Sequence, residues 1–340
     1  MKVDFNSYDF SIKEIIAMVG EKLIDISPDY QRHFRWNITR QSQLIESFFL
    51  GIPVPNLFMA TNLDSRWEVI DGVQRLSSII NFAGDDADRK ALDQNYIGTT
   101  PLRLEGLTKL TEFNGKQFAD LPIDIKNKFK LTSLKVTTLS DKSDKNVRFD
   151  LFERLNRGGV SLSDQEIRCC VFRGRFNDFI RELSQNTDFV SCVNISKNKE
   201  AEGIREELVL RFFAYLYDID SFEHSVKDFL NNYMLKAELG FREADYIKNR
   251  KLFCLVFKKL NKALPYGISR KGRKNTPLNL FEGVSVGAAL SYQETGRINV
   301  KNIQDWISDE ELKKYTINAT NSKPRVVGRI KYCKNRFEAE

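Results

Sequence analysis

The chain has 340 residues, 41% hydrophobic and 29% charged, with a formal net charge of +7, two histidines and five cysteines. That length suits two domains. No apolar run approaches the about 20 residues that cross a bilayer, and the opening "MKVDFNSYDFSIKEII" has acids mixed in and no leader-like segment, so a cytoplasmic protein without a membrane partner is expected. Two histidines exclude a zinc or nuclease centre built on several of them, an odd cysteine count without C-x-x-C fits reduced thiols, and the basic balance fits a nucleic acid or nucleotide partner as well as a solvated lysine-rich surface.

In chain order, the spacing predicts a helix over "SIKEIIAMV" (11–19) and a strand over "KLIDI" (22–26), stopped by Ser27-Pro28. Thr39 is the expected cap of a helix over "RQSQLIESFFLG", with Leu44, Ile45, Phe48 and Phe49 on one face. Two prolines precede a strand at about 56–61, and "SRWEVID" pairs with it as a hairpin. "GDDADRKALDQNYIGTT" reads as a surface insertion, and "TSLKVTTL" (132–139) alternates as a strand. The texture then changes. "DKNVRFDLFERLNRGG" is an amphipathic helix, Ser163-Asp164-Gln165-Glu166 a capping box, and helices follow over 175–184, 203–217, 222–238, 243–263, 277–292, 299–314 and 322–337. The fold class is α+β: a small mixed α/β domain over 1–140, then a mostly helical domain over 141–340.

Two stretches carry candidate chemistry. In "RWEVIDGVQRLSSIINF" an apolar run ends at Asp71-Gly72 and a helix begins with Gln74-Arg75. Asp71 as N-cap with Gln74 at the third helical position makes a capping box, which is a purely structural role. The same helix mouth has free N–H donors and about half a positive charge. Gly72 admits a phosphate to the backbone, and Arg75 can clamp it. In "PDYQRHFRWNITRQSQL", Tyr30, Phe34 and Trp36 alternate with Arg32, His33 and Arg35, a pattern that serves base stacking or an ordinary core lead-in. There is no Walker loop: "GISRKGRKN" (267–275) has the glycine spacing but Arg273 in the lysine position.

Together these stretches resemble a known family. The order Tyr30-Gln31-Arg32, Trp36, Leu44-Ile45-Glu46-Ser47, Gly51-Ile52-Pro53-Val54-Pro55 and Asp71-Gly72-Val73-Gln74-Arg75 is similar to the ParB/sulfiredoxin-like domain of the GmrSD group of modification-dependent restriction proteins. The likeness continues in "FDLFERLNRGGVSLSDQEIRCCVFRGRFNDFIREL" and covers roughly residues 20–185. It implies a nucleotide-using domain, with nucleoside triphosphate and Mg²⁺ as cofactors. Asp71, Gln74 and Arg75 inherit the catalytic role; Asp71 would hold the metal or orient water, and Gln74 would position water. Gln31, Arg32, Gly72 and Asn156 inherit nucleotide contacts. Val73 stands where the family has a glutamine, which puts turnover in question. The family's C-terminal HNH nuclease is not expected here, because His224 alone lies in the second half of the chain. A separate nuclease or defence subunit would then have to supply cleavage, or there is none, and the sequence leaves self-association open.

The tail "NSKPRVVGRIKYCKNRFEAE" predicts a docked helix with a basic outer face, on which Arg325, Arg329, Lys331 and Lys334 meet DNA phosphates or simply face water. "RKGRK" (270–274) is a second basic cluster. The leading reading is an NTP-binding and hydrolysing protein that couples nucleotide state to DNA engagement in restriction or anti-phage defence. The alternative is a non-enzymatic DNA-binding regulator on the same scaffold. A third is a Mg²⁺-dependent nuclease, for which Glu311, Lys313 and Asp305 or Asp309 form a superficial acid–lysine set in a highly charged stretch.

Overall fold

The computed structural model describes residues 5–26, 36–62, 64–91, 100–140, 149, 154, 163–172, 174–196, 200, 202–317 and 321–339. The chain divides into two compact units, Met1–Ser161 and Leu162–Glu340. The change of sequence texture lies at 140, whereas the fold divides after 161. Mixed α/β structure followed by helices is the architecture expected.

In the first unit, β1 (Phe5–Ser11), β2 (Ile24–Asp25), β3 (Leu57–Thr61), β4 (Trp67–Asp71) and β5 (Ser133–Leu139) form a five-stranded sheet in the order β1-β5-β3-β4-β2. β1 runs antiparallel to β5 and β3 antiparallel to β4, while β3–β5 and β2–β4 are parallel. The predicted hairpin is therefore present. β1 is an addition: its largely exposed residues, aromatic and polar mixed, give no buried-strand pattern, and it pairs along the whole of β5 at the edge of the sheet.

Helix α1 (Ile12–Gly20) opens on a capping box, in which Ser11 Oγ accepts from Glu14 N–H at 3.2 Å and Glu14 Oε2 from Ser11 N–H at 2.9 Å. Helix α2 (Ile38–Phe49) is capped by Asn37, which accepts from Arg40 N–H at 2.9 Å. Thr39, the expected cap, already lies inside the first turn. α3 (Val73–Ala83), the short α4 (Asp86–Ala91) and α5 (Ile123–Leu131) are further α-helices of this unit. One apolar core joins Ile12, Ile15 and Val19 of α1, Leu44, Ile45 and Phe48 of α2, Leu76, Ile79 and Ile80 of α3, and Leu57, Met59, Val69 and Val136 of the sheet. Each such side chain contributes about 1.5–3 kcal/mol by leaving water.

The segment before α5, which the sequence pattern leaves unassigned, is organised by one carboxylate. Glu46 Oε1 accepts from the N–H groups of Thr108, Lys109 and Leu110 at 3.0, 2.7 and 2.9 Å. Burial pushes its pKa up, but the three amides and the Lys109 charge outweigh that and hold it below the ordinary carboxylate value.

The second unit contains α6 (Asp164–Val171), α7 (Arg175–Ser184), α8 (Thr187–Cys192), α9 (Ile204–Tyr217), α10 (Val226–Gly240), α11 (Glu243–Ala263), α12 (Leu278–Thr295), α13 (Ile303–Trp306), α14 (Glu310–Thr316) and α15 (Lys323–Glu338). The Ser163–Glu166 capping box is formed as the sequence predicts. The single helix expected over 299–314 is instead α13 and α14, separated where Asp309 takes the N-cap position of the second. The amphipathic helix expected at 144–157 falls outside the described residues except at Phe149 and Arg154, both helical. Cys169, Cys192, Cys254 and Cys333 are free thiols. Among the described residues no helix is long and apolar enough to cross a membrane.

An ion ladder runs through this unit. Arg168 donates to Glu207 Oε2 at 3.1 Å, and Arg211 donates to Glu207 Oε1 at 2.7 Å and to Glu282 Oε1 at 2.6 Å. Arg329 closes the chain on Glu282 Oε2. The ladder ties α6, α9, α12 and α15 together. Where it reaches α15 the two helices touch closely: a Cβ on Gly287 would lie 2.8 Å from Cys333 Cβ.

Candidate functional site

The β4–α3 turn is built by Gly72. Its φ of +105° is a left-handed conformation that side chains other than glycine's resist. A Cβ there would also lie 2.3 Å from Leu57 Cδ2. Folding alone therefore accounts for this glycine. It also corrects the cap: Gly72 occupies the N-cap position and Asp71 remains the last residue of β4, so the Asp71–Gln74 capping box does not form. No side chain caps α3.

Asp71 and Gln74 are engaged elsewhere. Arg75 Nη2 donates to Asp71 Oδ2 at 2.6 Å and to the carbonyl of Asn56 at 3.1 Å, bridging the end of β4 to the residue before β3. The pair is half-buried, with side-chain exposures of 14% for Arg75 and 33% for Asp71. Arg75 Nε is buried without a hydrogen-bond partner among the described residues, so the guanidinium retains unused donor capacity. Gln74 Oε1 accepts from the backbone N–H of Trp36 at 3.1 Å, and Gln41 Nε2 donates to the Trp36 carbonyl at 3.2 Å. The Arg40 guanidinium lies 4.7 Å from the centre of the Trp36 ring. The two stretches singled out in the sequence thus meet: the residue four after Arg32 is hydrogen-bonded to the helix that opens at Gly72.

Val73 is 1% exposed and belongs to the apolar core. Its position, where the resemblance expects glutamine, faces the interior rather than the mouth of the helix. Gln31, Arg32 and Asn156 lie outside the described residues. Among the described residues no group of three or more histidine, cysteine or acidic side chains could hold a metal. A metal at Asp71 would take most of its oxygen ligands from phosphate and water.

The predicted basic face of α15 is only partly there. Lys331 is exposed. Lys334 is paired with Glu294 at 2.6 Å and lies 3.7 Å from Glu338. Arg325 donates to the carbonyls of Lys314 and Ile317. Arg329 is 0% exposed and belongs to the ion ladder, so it does not lie on the outer face at all. The sequence held a signal for this. Arg329 shares a face with Val326, Ile330 and Cys333, and Glu282 is an isolated acid in an apolar helix. In the acid–lysine set, Asp309 accepts from Tyr332 Oη at 2.7 Å and from Arg336, and Lys313 pairs with Glu310 at 2.6 Å.

Residues 12–173 match the family described as GmrSD restriction endonuclease, N-terminal domain. The matched segment runs from α1 through α6 and takes in both motif stretches. That family places the segment in the setting of restriction. Comparison with curated proteins and with solved structures gives no match.

Proposed function

We propose that the first unit binds a nucleoside triphosphate at the β4–α3 turn, with its phosphates against the amides that open α3 and beside Arg75, and hydrolyses it with Mg²⁺. Nucleotide state then governs engagement of DNA, in restriction or anti-phage defence in the cytoplasm. The observation that carries this reading is the uncapped mouth of α3, flanked by an arginine with an unused buried donor. An anion there meets backbone N–H groups, the helix dipole and a guanidinium together. Gln31, Arg32 and Asn156 would add contacts and Asp71 would share the metal. A separate nuclease subunit would perform cleavage. Arg325, Lys331 and Lys334 remain the proposed phosphate contacts of α15.

Titration of labelled nucleoside triphosphates onto the wild type, Arg75→Ala and Arg75→Lys tests the first step. Binding lost in Arg75→Ala and partly kept in Arg75→Lys, with both variants melting as folded proteins, is the expected result. Equal binding by all three, or none by the wild type, removes the reading. A second reading is favoured by the Asp71–Arg75 ion pair and by the packing of Gly72 on Leu57, which explain the motif as architecture: a DNA-binding regulator without turnover. That protein releases no phosphate and binds DNA identically with and without nucleotide.

A further inference from the structure

The loop after α11 is fixed at both ends. Ile268 N–H donates to the carbonyl of Cys192 at 2.7 Å, and Asn194 Nδ2 donates to the carbonyl of Tyr266 at 2.6 Å. Further along, Asn194 N–H donates to Thr276 Oγ1 at 2.9 Å, and Thr276 N–H to the Asn194 carbonyl at 2.9 Å. Gly267, at φ +73°, lets the turn approach Cys192: a Cβ would lie 2.9 Å from the Cys192 carbonyl oxygen. The loop thus holds its tip in place.

That tip bounds a cavity of about 520 Å³. Four cations line it, Arg270, Lys271, Arg273 and Lys274, against one carboxylate, Asp305. Lys271, Arg273 and Lys274 are exposed. Burial, with the adjacent Arg273 charge, lowers the Arg270 guanidinium from its usual value, against the pull of Glu310. Arg270 uses one nitrogen on Thr316 Oγ1, and its Nε is buried with no hydrogen-bond partner among the described residues. Unneutralised cations gathered at a partly dry concave site favour an anion. On the same lining stands Tyr266, 81% exposed although its backbone is anchored. An anion alone has no use for that ring.

We infer that this cavity binds a nucleic-acid strand, one unstacked base lying on Tyr266 and the flanking phosphates pairing with Arg270, Lys271, Arg273 and Lys274. The inference rests on the DNA-engaging part of the proposed function and adds the form of the strand. In a duplex each base face is covered by its neighbours, so only a single or locally opened strand can use the aromatic ring. The site lies wholly within the second unit and is independent of the β4–α3 turn.

Fluorescence anisotropy of the full chain with labelled oligodeoxythymidylate and with a labelled duplex of equal length, over a salt series, tests it. The wild type should prefer the single strand. Tyr266→Ala should weaken that binding roughly 5- to 150-fold and leave duplex affinity unchanged, while Tyr266→Phe keeps it. Arg273→Ala combined with Lys274→Ala should reduce the salt slope for the single strand by about 0.7 for each phosphate no longer neutralised. The inference is overturned if Tyr266→Ala binds the single strand as the wild type does, or if the wild type prefers duplex. A wild type that binds duplex but not the single strand removes this inference alone; a wild type that binds neither DNA at low salt removes the DNA-engaging reading with it.

Discussion

The two units use the same chemistry, an arginine against a carboxylate, for opposite ends. In the first, Arg75 and Asp71 form one half-exposed pair at the edge of a turn, with donor capacity to spare. In the second, Arg168, Glu207, Arg211, Glu282 and Arg329 form a continuous ladder in the interior. Burial tends to raise the Glu207 carboxyl, but Arg211 and Arg168 outweigh it and lower its pKa. A half-exposed pair gains little from Coulomb attraction and is easily rearranged by an incoming anion. A buried ladder cannot lose a member without stranding a charge. The sheet unit therefore has the ion pair suited to a site, and the helical unit the one suited to fixing how helices meet.

Glu282→Ala is the strongest way to break the comparison. It leaves Arg211 and Arg329 facing each other in the interior, and should cost about 3–5 kcal/mol, read as a lower urea midpoint. Replacing Glu282 and Arg329 together by Met should recover much of that; no recovery would show that the ladder is not what the single substitution damages. Gly72→Ala should cost about 2–3 kcal/mol by combining a left-handed φ with overpacking on Leu57. Adding Leu57→Ala should relieve the clash but not the backbone strain, so a double-mutant cycle should give a coupling well away from zero.

Glu46→Gln should cost about 2 kcal/mol at neutral pH, because a charged acceptor of three amides becomes a neutral one. The sign follows from its lowered pKa in the folded state. Its stabilisation is complete above the unfolded value of about 4.3 and is lost as pH falls through the folded value. Melting temperatures of wild type and variant should converge as the medium is acidified below that unfolded value; a constant gap would show that Glu46 is not the group titrating. The smallest effect is expected at the ion pair beside the turn. Asp71→Asn should change stability by less than about 1 kcal/mol, since the pair is partly solvated. A larger loss would mark the pair as structural, and would weaken the case for a phosphate beside Arg75.

Much of this was legible in the sequence where local rules act alone. The Ser163–Glu166 capping box, the β3–β4 hairpin and the long helices of the second unit follow from short-range pattern, whereas the short α8 and the break between α13 and α14 do not. Other features were not, each for a physical reason. β1 is an edge strand exposed over its first five residues, so its sequence lacks the periodicity of burial. The segment before α5 depends on Glu46, some 60 residues earlier in the chain. At Asp71-Gly72 two rules competed, and the left-handed glycine took the N-cap position that the acid would otherwise fill. At the site itself, the meeting of Gln74 with Trp36 was suggested only by motif order, because a contact across 38 residues has no local signature. Arg329 was misplaced for a similar reason: a run of basic residues masks the one whose partner, Glu282, lies 47 positions away.

That separation bears on how the protein is made. Synthesis proceeds from the N-terminus, so Arg168, Glu207, Arg211 and Glu282 leave the ribosome before Arg329 does. Until α15 follows, Glu282 has Arg211 as its only ladder partner, and Gly283 and Gly287 face no neighbouring helix from that side. The helical unit must then wait for its last described helix before its interior charges are fully matched, which makes α15 a late-arriving keystone.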